Sequence, residues 1–222
     1  MQFGLTQYAE SPTQQAMTLA EAKAHLRIDF DDSDTLISGL IDAATLAAEA
    51  YTSAAFIERS YLMTLGAFPR IGAGQFGPDT DYAEFPSRWG TSGRPTRYPT
   101  AIRLPFHPVL SVSSITYLDP DLATQTVAAS DYVVVVSRHP PFIAPATGTN
   151  WPNIGDHPEA VSVAFRAGYG TCPANALAAI KLILGHLYEH REDVTPGVGA
   201  PNPAELPMGS KWLLTPYRLW AT

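Results

Sequence analysis

The chain has 222 residues, 45% of them hydrophobic and 16% charged, with a formal net charge of −7. That apolar share can fill a core in one large domain or two small ones. The acidic balance argues against a nucleic-acid grip built on phosphate neutralisation, which needs a basic stripe. A single cysteine excludes an internal disulfide and a cysteine-based zinc cage. No apolar run approaches the roughly 20 residues that span a bilayer, and the first residues do not read as a cleaved leader. No membrane partner and no cofactor are expected.

Residues 1–17 carry no periodic pattern and read as an arm that either frays or orders on a partner. Thr18 followed by Glu21 is a capping-box signature, continued as a short helix by Leu19, Ala22 and Leu26. The carboxylates of Asp29, Asp31, Asp32 and Asp34 then precede a longer helix, where acidic groups meet exposed N–H groups and the positive end of the macrodipole. Calcium-loop spacing fails there, because no glycine takes the sixth position and no glutamate the twelfth. Leu36, Ile37, Leu40, Ile41, Ala44, Ala47, Ala48 and Tyr51 supply the apolar positions of this second helix.

From Ser60 the period changes to two, with Tyr61, Met63 and Leu65 alternating against Leu62 and Thr64. Residues 69–101 are dense in Gly, Pro, Ser and Thr, with Phe76, Tyr82, Phe85, Trp89 and Tyr98 spread among them. A loop of that length and composition is expected to contact something, a neighbouring subunit or, on a binding-module reading, a glycan. Further strands are expected over 101–106, 109–118, 127–136 and 161–165, with a turn at Asp119, Pro120 and Asp121. Tyr132–Val136 reads as a strand covered on both faces. The 140–155 stretch reads as irregular, with Trp151 and Pro152 pinning it to the sheet.

The stretch 160–194 organises the rest. Val161, Val163 and Phe165 alternate with Ser162, Ala164 and Arg166, and Gly168 and Gly170 end the strand. Pro173 suits the first position of a following helix, which leaves Cys172 near its cap. Leu177, Ile180, Ile183, Leu184, Leu187 and Tyr188 then recur at helical steps, as befits a central core helix. Residues 195–207 form a Gly/Pro linker, and 208–214 can make a turn or two of helix. The fold class expected is α+β: a small helical bundle of two N-terminal helices plus the central C-terminal helix, an inserted antiparallel β region, and an extended C-terminal tail. Its parts are an arm at 1–17, a single α+β domain at 18–194 (helices 18–58, β region 60–167, helix 173–192), and a linker with tail at 195–222.

Three motifs invite chemistry. His186, Glu189 and His190 match HxxEH, in which two histidines four apart can ligate zinc beside a glutamate base. A third ligand is required, and little besides Glu192 and Glu205 remains after them, so a zinc hydrolase is the alternative reading rather than the preferred one. Gly72, Gly74 and Gly77 spell GxGxxG, but Pro78 and Asp79 follow where a dinucleotide site needs a helix. Cys172 at a helix N-terminus invites a lowered pKa and a nucleophilic role, with no placed histidine to complete it.

The ordered segments resemble the head-to-tail connector, or adaptor, proteins of long-tailed bacteriophages and related gene transfer agents. The resemblance is carried by Met17–Leu26 with the acidic run after it, the Leu36–Thr52 helix and Ile102–Pro105 leading into Val112–Asp119. It continues through Asp131–Tyr132, Ala167–Gly170, Leu206–Gly209 and Leu213–Arg218. The 69–101 stretch is longer than is usual in that family. The resemblance implies a non-catalytic virion protein at the neck, assembled in the host cytoplasm. It implies a ring of about twelve copies under the portal, a docking surface for a stopper or tail-completion protein, and double-stranded DNA passing through the centre. It also implies that the tail docks on the portal. The residues expected to do so are Trp212, Leu213, Leu214, Tyr217, Arg218, Leu219 and Trp220, because aromatics and arginine dominate interface energies. Asp29, Asp31, Asp32 and Asp34 are a candidate channel or subunit-interface surface, where negative charge would repel passing DNA.

Overall fold

The computed structural model describes residues 14–69, 100–190 and 206–218, together with the backbone of Gln7–Tyr8. The 70–99 stretch with its aromatics and GxGxxG glycines, the 191–205 linker and residues 219–222 lie outside them. The described residues fall into two compact units, one of strands and one of helices. Helices with antiparallel sheets make this the α+β class expected.

The β unit contains β1 (Gln7–Tyr8), β2 (Arg59–Leu65), β3 (Ile102–Arg103), β4 (Val109–Leu118), β5 (Thr124–Thr126), β6 (Tyr132–Val135), β7 (Phe142–Pro145) and β8 (Val161–Ala167). One sheet has the order β1-β2-β8-β4-β5 and the other β3-β7-β6, all antiparallel. The alternation read in β8 is realised: Val161, Val163 and Phe165 are buried while Arg166 faces water. Tyr61 lies opposite Phe165 in register, and its ring stacks on Phe165 at 5.4 Å and on Phe106 at 4.6 Å. Trp151 does pin its segment. Its indole N–H donates to the Thr100 carbonyl at 2.7 Å, and its ring stacks on Phe68 at 4.8 Å.

Three strand readings are corrected. The 101–106 strand shortens to β3, because the Leu104 N–H turns to the Pro141 carbonyl and Pro105 has no N–H to offer. The 127–136 strand is broken by a 3-10 turn at Ala129–Asp131. β6 is also not covered on both faces: it is an edge strand of the smaller sheet, with Val133 51% exposed. The 140–155 stretch is not wholly irregular, since it contains β7, whose Phe142, Ile143 and Ala144 are buried. The turn at Asp119 is borne out. Its Oδ1 accepts the N–H groups of Asp121 and Ala123, and its Oδ2 accepts from Gln125.

The helical unit contains α1 (Leu19–Leu26), α2 (Asp34–Thr52), α3 (Ala174–Glu189) and α4 (Met208–Leu214), followed by a 3-10 turn at Thr215–Tyr217. Both halves of the Thr18/Glu21 capping box are formed. α1 stops where Arg27 takes a left-handed conformation, and α2 stops the same way at Ser53. The buried Glu49 carboxylate accepts the Phe56 N–H at 2.8 Å, which fixes the chain after α2. Pro173 is the N-cap of α3 rather than its first helical residue, because its carbonyl accepts the first intrahelical bond from Leu177. Ile37, Ile41, Ala44 and Ala48 of α2 share one buried cluster with Ala176, Ile180, Ile183 and Leu184 of α3. Just before α3, Gly168 sits at φ +127°, and a Cβ there would fall 2.2 Å from the Ile57 carbonyl oxygen.

Candidate partner-docking site

The C-terminal tail is folded onto the helical unit through α4. Pro207 caps the helix, and the Ser210 hydroxyl donates to the Pro207 carbonyl at 2.7 Å. Ser210 and Leu214, one turn apart, both point inward and are fully buried. Met208 and Trp212 occupy the opposite side of the same helix, 87% and 77% exposed. Of the seven tail residues expected to dock, the five that are described do not share one exposed face. Leu214 is corrected to a core residue, in the cluster with Ile180 and Leu184. Tyr217 is half-buried, its ring edge-on to Phe56 at 5.5 Å, and the Arg218 guanidinium lies 5.0 Å over the Tyr51 ring. Leu213 is half-buried, and Leu219 and Trp220 lie outside the described residues. Met208, which sequence reasoning did not single out, lies four positions before Trp212 and is exposed on the same face.

The acidic run is partly committed within the unit. The Lys23 ammonium reaches Asp31 at 2.5 Å and Asp34 at 2.8 Å, tying α1 to the start of α2. Asp29 and Asp32 are exposed. The hydrogen bond from Lys23, and then its charge, hold the Asp31 carboxyl below the usual carboxylate range; the same two carboxylates raise Lys23. A depressed carboxylate stabilises above its unfolded-state value of about 3.9 and loses that contribution as pH falls through its lower folded value. The raised lysine contributes below about 10.4 and loses its share as pH rises through its higher folded value. The melting-temperature gap between wild type and Lys23→Met is therefore expected to hold between about pH 5 and 9 and to close in acid. Added salt should shrink it, because Asp31 is 87% exposed.

The HxxEH histidines are adjacent at the end of α3, ring centroids 4.5 Å apart. His190 is the C-cap, its Nδ1 3.1 Å from the His186 carbonyl oxygen, while Nε2 of His186 is buried without a hydrogen-bond partner among the described residues. Among the described residues no cluster of three histidine, cysteine or carboxylate side chains is placed to hold a metal. Cys172 does not take the lowered pKa that a helix N-terminus invites. It precedes the cap of α3, beside a shallow cavity of about 140 Å³ shared with Gln14, Gln15 and Tyr169. Burial, with the Glu49 charge adding to it, pushes its thiol up to about 11. Alkylation at pH 8 is accordingly expected to run roughly a hundredfold slower than for an exposed cysteine, measured by mass on the folded chain.

Residues 16–87 match the model of the phage gp6-like head-tail connector proteins. Over this segment, about a third of the chain, the sequence is similar to the head-tail connector family. The connector match opens on the capping-box helix and takes in α1, α2 and β2. No curated protein matches the chain with significance. Among solved structures, this chain is similar to a chain from the neck of an empty gene transfer agent particle computed with C6 symmetry. The identity is 21% and the TM-score 0.69, with 97% of this chain and 96% of that one covered. A chain from the virion of a native gene transfer agent particle matches at the same identity and coverage with a TM-score of 0.68. A chain from the neck of the native particle computed with C12 symmetry matches, again at 21% identity and the same coverage, with a TM-score of 0.66. These likenesses show that the fold is shared along nearly the full chain.

Proposed function

We propose that the chain is a non-catalytic head-tail adaptor of a virion neck. It forms a ring of twelve copies under the portal and presents a docking surface for a stopper or tail-completion protein, with double-stranded DNA passing through the ring. The observation that carries this reading is the fold shared over 97% of the chain with neck chains, one from a particle computed with C12 symmetry. The connector family match supports it from the sequence side. The chemistry agrees. A formal charge of −7 repeated round a channel disfavours DNA adhesion. Trp212 and Met208, exposed on a helix that is itself anchored by Leu214, make a rigid apolar contact for the portal. Repetition of that contact round a symmetric ring turns weak single contacts into a stable junction. Asp29 and Asp32 remain exposed and available to a channel surface.

The decisive experiment mixes the chain with the portal protein encoded in the same gene cluster and measures the mass and symmetry of the complex. A closed ring of the intact chain on the portal is expected. Trp212→Glu should melt as the wild type does yet lose at least tenfold in portal affinity, the effect of removing a central aromatic anchor. A folded wild-type chain that leaves the portal bare would sink the reading.

A further inference from the structure

The outward face of α2 is not that of a solvated helix. Leu36, Gly39, Ala43, Leu46 and Ala50 recur at alternating steps of three and four, the spacing of a seam that receives another helix. All five are exposed, with Leu36 and Leu46 at 42% and 43%, and none carries a charge. A solvated stripe of this length is ordinarily polar. Gly39 sharpens the point: glycine is a weak helix former, and a Cβ there would meet nothing within 4 Å. The space above it is open, which suits close approach by a second backbone.

The same unit carries a complementary face. Ala178, Leu182 and Gly185 form the outward stripe of α3, and Leu182 is 42% exposed. Gly185 lies beside His25 of α1, and the Leu182 side chain lies beside Gly209 of α4. The stripe is thus the floor of a shallow trough walled by α1 and α4. Since α2 and α3 bury their other faces in one cluster, the ridge and the trough point away from each other.

We propose that the α2 ridge of one copy seats in the α3 trough of the next. The inference rests on the ring reading above and assigns its subunit contact. A second copy is the occupant because a single head-to-tail contact between identical chains covers both faces of every member, and such contacts close into rings. Leu36 and Leu46 are the projecting side chains; Ala178 and Gly185 leave the room they need.

Ala43→Glu blocks the ridge and Ala178→Glu blocks the trough, both at exposed sites where the unassembled chain should melt unchanged. Leu46→Gln and Leu182→Gln repeat the blocks without charge. Each chain is measured by native mass, alone at high concentration and with the portal. The expected result is a closed ring for the wild type and none for either Glu variant. An equal mixture of the two variants should give one-to-one pairs, because one intact ridge and one intact trough remain between them. Wild-type-sized rings from Ala43→Glu or Ala178→Glu, or a mixture that does not pair, overturns the proposal. Wild-type copies that bind the portal singly and stay monomeric in solution also overturn it while leaving portal docking intact. Self-association that is abolished by Ala43→Glu without any portal binding would uphold this contact and sink the adaptor reading instead.

Discussion

Leu214→Ala is expected to cost the helical unit about 3 kcal/mol, within the span of roughly 2 to 5 seen for truncation of a buried leucine. Leu214 is fully buried and packs in the cluster formed by α2 and α3, so its removal leaves a cavity as well as losing transfer free energy. For a unit of this size the midpoint should fall by roughly 10 to 20 °C. Trp212→Ala, two residues earlier and 77% exposed, should shift stability by no more than about 0.5 kcal/mol. The two measurements separate the tail's role as an anchor in its own core from its proposed role as a contact for a partner. If Leu214→Ala melts with the wild type, α4 is not seated as described. The contrast matters for any truncation experiment, because ending the chain before Met208 removes Leu214 from the core along with the proposed docking surface.

Gly168→Ala should be still more damaging. Its φ of +127° is a conformation that residues with a side chain rarely adopt, and the added Cβ would fall 2.2 Å from the Ile57 carbonyl oxygen and 2.7 Å from the Glu58 Cα. Both obstacles are backbone and cannot rotate aside. Strain and overpacking together should cost roughly 3 to 5 kcal/mol in urea melts. Gly170→Ala, two residues on, is the control. A Cβ there meets nothing within 4 Å, so stability should stay level or rise by about 0.4 to 1 kcal/mol through the unfolded chain. Equal behaviour of the two variants would show that the approach of Gly168 to Ile57 is not a feature of the folded chain.

What the sequence made legible was whatever depended on neighbours along the chain. The capping box at Thr18, the alternation in β8 and the helical recurrence in α3 all rest on short spacings, and each is found where it was expected. β7 was hidden because Pro140 and Pro141 dominate its approach and only four residues follow as strand. The exposure of Val133 follows from strand order, which no local pattern encodes. Leu214 could not be separated from Trp212 because both are large and apolar; only the seating of α4 decides which turns inward. Cys172 shows the same limit in its chemistry. Its thiol is governed by burial and by Glu49, more than 100 positions away in sequence, and not by the helix that begins beside it.

The helical unit is assembled from segments that flank β2 to β8, and this has a temporal side. α2 ends at Thr52 and its main partner α3 begins at Ala174, so about 120 residues must be translated between them. At 5 to 20 residues per second that interval is on the order of ten seconds. Throughout it Ile37, Ile41 and Ala48 lack α3 and have only the short α1 as a partner helix. Helix formation in α2 before then has to rely on its own alanines and leucines, and a holding chaperone has its best opportunity there. β2 waits almost as long for β8, which begins about 95 residues later, whereas β4 and β5 pair as neighbours along the chain.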